Sequence, residues 1–262
     1  MYDLIFIYEF KGDLKPFLQF VIDEDYLGFW KEGEYSFLFF KREKKPLRQK
    51  LPLPFRSELV IRHEDWEAGQ PFHSFQVGRI IVYPPWLIPP SLEGIKICLD
   101  PRMAFGSGFH ASTRGCLHLL EKLFQSEAPQ IILDLGTGTG ILSLAGLKLG
   151  AQKSFALDYN NLAIETARLN RKLNSLEDKM HLWQGDARDF LYIKCDLLIA
   201  NMPWEVIAQI TEKEIFFTKR YYLISGLLGN ESYRLTQKLK EKLILIDQYE
   251  ENFWFSFLYQ RK

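Results

Sequence analysis

Apolar residues fall in short blocks along the chain, and glycine, proline or an acid closes most of them. Ile131-Ile132-Leu133 runs through Asp134 and Leu135 into Gly136-Thr137-Gly138-Thr139-Gly140, and an apolar helical pattern begins at Ile141. Strand, tight glycine turn and helix start in that order predict the front of a βαβ unit. Later strand-like blocks lie at 154–157, 180–183, 196–201, 223–225, 243–246 and 253–258, which brings the total to seven. Between the second and third, Ala163, Ile164, Ala167, Leu169 and Leu173 recur at helical spacing. Only 247–252 separates the last two blocks, so they predict an antiparallel hairpin. The fold class is α/β, a Rossmann-like seven-stranded sheet preceded by a small N-terminal α/β domain.

That N-terminal domain is expected over residues 1–62. Leu4-Ile5-Phe6-Ile7-Tyr8 reads as a strand, and Leu14, Phe17, Leu18, Val21 and Ile22 recur at helical spacing. Gly28-Phe29-Trp30 and 35–40 predict a hairpin around Glu32-Gly33-Glu34, and Leu59-Val60-Ile61 a further strand. So small a unit has little apolar surface to bury, so it is expected to lean on the larger one. Residues 63–99 read as a join, with one strand over 77–83, prolines at 84, 85, 89 and 90, and a short strand at 95–99. Residues 100–262 read as the main domain. At its start, Ala104 to Arg114 forms a loop before a helix carrying Leu117, Leu120 and Leu123, with Thr113 or Ser112 expected to cap that helix and His110 to bond within the loop.

Charge adds little: Lys+Arg 33 balances Asp+Glu 33 in the 262 residues, so no global field draws the chain to nucleic acid or membrane. The three cysteines, Cys98, Cys116 and Cys195, are widely spaced, which suggests neither a disulfide framework nor a zinc site. Met1-Tyr2-Asp3-Leu4 does not open a secretory signal, and no apolar run reaches the ~18 residues of a membrane span. The expectation is a soluble, cytoplasmic monomer without a metal. One segment, Lys41 to Lys50, is strongly basic: it reads as a solvated loop, with contact to RNA as the functional alternative.

The glycines carry the first chemistry. The dinucleotide fingerprint is G-x-G-x-x-G, whereas here the third glycine comes one residue early and Ile141 takes the fingerprint's place. The next strand ends in Asp158, 158 − 134 = 24 positions after Asp134, where a carboxylate can accept two hydrogen bonds from a ribose diol. An acid directly before the glycines suits a ligand with an amino group better than a pyrophosphate. S-Adenosylmethionine has an amino group, a carboxylate and an adenosine, and the stretch resembles motif I of the class I methyltransferases. Candidate cofactor residues are therefore Asp134, Gly136, Gly138 and Asp158. Phe105 or Phe109 is expected to pack on the cofactor from the loop, with Thr113 at its polar end. Asp186, after the third strand, sits where this fold places an acid near the adenine, or else simply forms a turn. The alternatives are a ligand-free turn or another nucleotide.

Asn201-Met202-Pro203-Trp204 follows the fourth parallel strand, at the edge where open α/β sheets bind ligands. Asn201 can accept a hydrogen bond from an amine and Trp204 can offer a ring face to a cation or a planar group, so these two are the catalytic candidates. The segment is similar to the N-P-P-aromatic motif of N-methyltransferases. Methyl transfer needs a neutral nucleophile in line with the S–CH3 bond rather than an acid–base cluster. A strand-to-loop turn with a core tryptophan is the simpler alternative.

Taken together, the chain resembles the ribosomal protein L11 methyltransferases over about residues 60 to 262. The likeness rests on Glu64-Asp65-Trp66, Val77-Gly78-Arg79 leading to Tyr83-Pro84-Pro85-Trp86, Asp100-Pro101 through Arg114, 224–228 and Trp254. It implies an N-terminal domain that grips L11 and a catalytic domain that methylates lysine and α-amino nitrogens. It also implies cofactor contacts at Thr113, Gly136, Asp158 and Asn201, and makes ribosomal RNA the RNA that Lys41–Lys50 would meet. Two departures stand out. Met202-Pro203-Trp204 replaces the family's aliphatic pair and is closer to enzymes acting on glutamine amides or nucleic-acid bases, and the first 60 residues show little that matches beyond a small α/β fold. A nucleic-acid or glutamine-amide N-methyltransferase is thus the enzymatic alternative, and a non-catalytic cofactor-binding or ribosome-associated module the other.

Overall fold

The computed structural model describes residues 4–62 and 72–262; the Glu64-Asp65-Trp66 segment lies outside them. Three sheets organise the described residues. Strands β1 (Leu4–Lys11), β2 (Tyr26–Glu32), β3 (Tyr35–Phe40) and β4 (Phe55–Arg62) form an antiparallel sheet in the order β2-β3-β1-β4. The apolar spacing at 14–22 yields a 3₁₀ turn, Lys15–Phe20, rather than an α-helix. Leu14 and Val21, at its two ends, are buried beside Tyr8, Phe10 and Phe29, so the spacing serves packing across a short connection.

Residues 77–83 do not form one strand. β5 (Phe75–Val77) turns back at Gly78-Arg79 into β6 (Ile80–Tyr83), which pairs in parallel with β7 (Ile95–Cys98). The buried Glu121 carboxylate fixes the turn by accepting from the Arg79 N–H at 3.0 Å and its Nε at 2.9 Å. Gly78 has φ +56, and a Cβ there would lie 1.6 Å from Glu121 Oε2, so only glycine fits.

The main sheet has the order β10-β9-β8-β11-β12-β14-β13. Its strands are β8 (Ile131–Leu135), β9 (Lys153–Asp158), β10 (Met180–Gln184), β11 (Leu197–Asn201), β12 (Tyr221–Leu228), β13 (Leu243–Glu251) and β14 (Trp254–Arg261). All neighbours from β10 to β12 are parallel, and β14 runs antiparallel to both β12 and β13. The terminal hairpin turns more tightly than 247–252 suggests. Both strands continue to a two-residue turn at Asn252 and Phe253, each with positive φ (51° and 66°). The polar residues of 247–251 stay in the ladder because the outer face of β13 is solvated.

A single helical turn α1 (Leu47–Lys50) precedes the larger helices α2 (Ala111–Ser126), α3 (Ile141–Leu149), α4 (Asn161–Leu173), α5 (Trp204–Ile210) and α6 (Gly229–Leu239). The core follows the two-residue period of the strands. Ile132, Leu197 and Ile199 pack towards α2 and α3 on one face, and Leu133, Leu198 and Ala200 towards Ile207 of α5 and Leu235 of α6 on the other. The N-terminal sheet leans on α4: Ile5, Ile7, Leu27 and Phe39 share a buried cluster with Leu162 and Met103.

The basic segment is largely neutralised at home. Lys44 Nζ lies 2.7 Å from both the Asp23 and Asp25 carboxylates, Arg42 pairs with Asp25, Lys45 with Glu43 and Arg48 with Glu58. The three cysteines are free thiols. Among the described residues no helix is long and apolar enough to cross a membrane, and no cluster of three metal-ligating side chains occurs.

Candidate active site

The carboxyl ends of β8 to β12, with the start of β14, open onto one cavity of about 790 Å³, within the usual range of ligand pockets, roughly 300–1,000 Å³. Gly136 and Gly138 form its floor at the turn between β8 and α3. Gly138 has φ +55, and a Cβ there would lie 2.2 Å from the Phe105 carbonyl oxygen. That closeness arises because the loop before α2 is tied to the turn: Thr139 N–H donates to Phe105 O at 2.9 Å and Thr139 Oγ1 to Gly106 O at 2.6 Å. Loop and glycine turn thus form one wall.

The two acids of the glycine motif have different surroundings. Asp158 lines the cavity; its Oδ2 accepts from Gly138 N–H and its Oδ1 from Asn160 N–H, each at 2.9 Å. Each oxygen keeps a lone pair, as a ribose diol requires. Asp134 lies behind the wall at 1% exposure, its Oδ2 accepting from Thr137 Oγ1 at 2.6 Å and Ser143 Oγ at 2.7 Å. Burial pushes its carboxyl up to about 6, and the structure gives it the part of a turn-shaping residue rather than a cavity wall. Asp186 does line the cavity, but Arg188 occupies both its oxygens: the backbone N–H and Nε donate to Oδ1 at 2.9 and 2.8 Å, and Nη2 donates to Oδ2. The Arg188 guanidinium holds this carboxyl below its usual range.

The loop residues divide likewise. Phe105 faces the cavity and is half exposed, while Phe109 is packed away among Phe72, His73 and Phe75. The cap of α2 is His110, not Thr113 or Ser112: its Nδ1 accepts from the Ser112 N–H at 3.3 Å. Its ring stands edge-on to Trp254 at 4.5 Å and to Phe105 at 5.3 Å. Burial, reinforced by Arg114, lowers its pKa, so the ring stays neutral near pH 7. Thr113 is 1% exposed and does not line the cavity; Asn201 Nδ2 donates to its Oγ1 at 3.5 Å.

Asn201 ends β11 at the cavity, and its Oδ1 is buried with no hydrogen-bond partner. A buried amide oxygen left unpaired is costly, so it marks a place for an incoming donor. Pro203 precedes α5, and Trp204, its first residue, lines the cavity. Gly226 opposite was not singled out from sequence. It forms a bulge between Ser225 and Leu227 with φ +86, and a Cβ there would lie 2.6 Å from Met202 O and 3.1 Å from Asn201 Oδ1. A glycine inside a strand pattern is the signal that could have found it. Trp254, one of the residues that carry the family likeness, also lines the cavity, as do Glu205, Glu231 and Arg188, which have no sequence signal of their own.

The donor set fits an adenosyl ligand with an amino-acid tail: a carboxylate with two free lone pairs, a Cβ-free floor and an unpaired amide oxygen lie in one cavity. Asp158→Ala is expected to weaken S-adenosylmethionine binding by about 1–3 kcal/mol, the cost of unpaired hydroxyls. Titration calorimetry checks this, and unchanged affinity would remove Asp158 from the site.

Comparison with known proteins agrees. The family profile described as "Ribosomal protein L11 methyltransferase (PrmA)" matches residues 41–262. The ribosomal protein L11 methyltransferase of Desulfitobacterium hafniense is 36% identical over 203 residues, covering 75% of this chain and 64% of that protein. Its counterpart from Caldanaerobacter subterraneus is 35% identical over 208 residues, covering 77% and 66%. The chain thus spans just under two thirds of the length of these relatives. The crystal structure of a ribosomal protein L11 methylase from Lactobacillus delbrueckii superposes with a TM-score of 0.65 at 24% identity, covering 73% of this chain and all of that one, a likeness of fold. The Rossmann-like methyltransferase fold, the turn-and-loop wall and the profile match converge: the chain belongs to the ribosomal protein L11 methyltransferase family.

Proposed function

We propose that the chain is an S-adenosylmethionine-dependent protein N-methyltransferase acting on lysine and α-amino nitrogens of ribosomal protein L11. The observation that carries this reading is the unpaired Asn201 Oδ1 at the cavity wall. S-Adenosylmethionine, when bound, supplies a methyl group on a positively charged sulfur. Asp158 holds the ribose, and Gly136 and Gly138 let the ligand approach the backbone. Asn201 Oδ1 accepts an N–H of the neutral amine and so turns its lone pair towards the methyl carbon. Trp204 and Phe105 wall the path from water. Phe105, Asp134, Thr113 and Asp186 serve the cofactor in this reading, with Thr113 and Asp134 acting through the wall they support.

The proposal extends to organisation: residues 1–62 recognise the substrate, 63–99 join, and 100–262 carry catalysis, in a cytoplasmic monomer. The ion pairs within Lys41–Lys50 argue against ribosomal RNA as a strong partner. The test is transfer of labelled methyl groups to purified L11, read by intact mass and site mapping. Mass gains of one methylene at a time on lysine or the N-terminus are expected. Cofactor binding without any gain on L11, together with label in RNA or on glutamine amides, would overturn the acceptor assignment and favour the alternative that Met202-Pro203-Trp204 suggests. Cofactor binding with no acceptor labelled in a cell extract would point to a non-catalytic module.

A further inference from the structure

Asp158 ends β9, Asp186 and Arg188 follow β10, Leu228 ends β12 and Trp254 opens β14, while Trp204 and Glu205 open α5, which packs against the 187–189 turn. The guanidinium in the lining, Arg188, is already taken: it donates to both Asp186 oxygens and to Gln209 Oε1. Beyond Asn201 the remaining lining is aromatic or aliphatic apart from two carboxylates, Glu205 and Glu231. His110, edge-on to Trp254, is held neutral near pH 7 by burial and Arg114.

The carboxylates of the cavity are not equivalent. Asp158 accepts two backbone N–H groups, Asp186 is filled by Arg188, and Glu231 Oε2 accepts the Leu228 N–H at 3.0 Å. Glu205 alone among them has no hydrogen bond or ion pair with any described residue. It stands in the first turn of α5, one residue past Trp204 and four past Asn201. A free carboxylate beside aromatic faces suits an alkylammonium, which gains both the ion pair and the ring contact. It repels a phosphate backbone and gives a neutral amide nothing a cation would not use better.

We propose that Glu205 is the anchor for the acceptor's ammonium group and so selects cationic amines over amides and nucleic acid at this site. The inference rests on the methyltransferase reading above for what happens next, but not for the binding itself. Glu205 holds the amine as it enters; the proton leaves to solvent before Asn201 engages the neutral nitrogen. Its position next to Trp204 makes the Pro203-Trp204-Glu205 turn a device for amine selection, rather than a sign of amide or base chemistry.

The test uses the full chain loaded with S-adenosylhomocysteine, with n-butylammonium as the lysine side-chain probe and n-butanol as its neutral isostere, followed by NMR titration. The wild type is expected to bind the cation at least about tenfold more tightly than the alcohol, as a charge-assisted hydrogen bond allows. Glu205→Gln should erase that preference, Glu205→Asp should retain part of it, and S-adenosylhomocysteine affinity should serve as the check on folding. With L11 as acceptor, Glu205→Gln should raise KM by about tenfold, with a smaller change in kcat, and flatten the rise of KM with salt. A wild type that does not favour the cation, or a Glu205→Gln variant that keeps the preference, overturns the proposal. Loss of the preference in Glu205→Gln while the wild type leaves L11 unlabelled would uphold the anchor and overturn only the L11 assignment.

Discussion

Asn201→Ala is expected to lower turnover about a hundredfold, the cost of a misplaced nucleophile, while S-adenosylmethionine affinity falls by far less. The reason lies in how the amide is held. Its Nδ2 donates to Thr113 Oγ1 at 3.5 Å, and its Oδ1 is buried at the cavity wall with no partner. Folding has therefore left desolvated an acceptor that only a bound molecule can satisfy. Removing an unsatisfied acceptor should cost little stability, because no protein hydrogen bond is lost with it. What disappears, in the proposed reading, is the group that orients the amine. Asn201→Asp separates geometry from charge: it keeps an oxygen in place but puts an anion beside a nucleophile that must shed its proton. Single-turnover kinetics with L11, alongside calorimetry for the cofactor, give the two numbers. A large loss of cofactor affinity with turnover at saturation intact would make Asn201 a cofactor residue only.

How much of this was legible in the sequence depends on the range of the interaction involved. The central parallel strands β8, β11 and β12 could be read because each is a block of apolar residues buried on both faces, and Asp158 could be placed at the cavity because it ends the next strand beside the glycines. Long-range partners could not. Nothing near Arg79 in the chain announces that Glu121, 42 residues on, will clamp its turn and split the expected strand. The same holds for Arg188, which takes the Asp186 carboxylate that sequence position assigns to adenine, and for His110, which takes the capping role that Ser and Thr usually fill. Phe105 and Phe109 look alike in sequence, and only the position of the hairpin at Phe75 decides which one faces the cavity. Residues that line the cavity from strand ends were thus legible, and those whose placement depends on a partner brought in by folding were not.

Gly138→Ala is the second large effect expected, and it tests the wall on which the cofactor reading depends. Gly138 and Gly33 share the same φ of +55, yet a Cβ at Gly33 meets nothing within 4 Å, whereas one at Gly138 lies 2.2 Å from the Phe105 carbonyl oxygen. The left-handed conformation alone costs an alanine about 1–2 kcal/mol, and Gly33→Ala should show just that cost. At Gly138 the obstacle is backbone, so the Phe105-Gly106 loop must move. Moving it strains the bonds from Thr139 to Phe105 O and Gly106 O. It also disturbs the Gly138 N–H that holds the Asp158 carboxylate. A total loss of about 2–4 kcal/mol is expected, within the range for strain combined with a broken network. Cofactor affinity should fall at least about tenfold as Asp158 loses its alignment, an amount near 1.4 kcal/mol. Thermal unfolding of both variants, with calorimetry for S-adenosylmethionine, makes the comparison internal to one protein. If Gly138→Ala were no less stable than Gly33→Ala and bound cofactor normally, the loop and the glycine turn would not form a single wall. Phe105 would then be free to move independently of the site, and the close packing of loop on turn would be dispensable for binding.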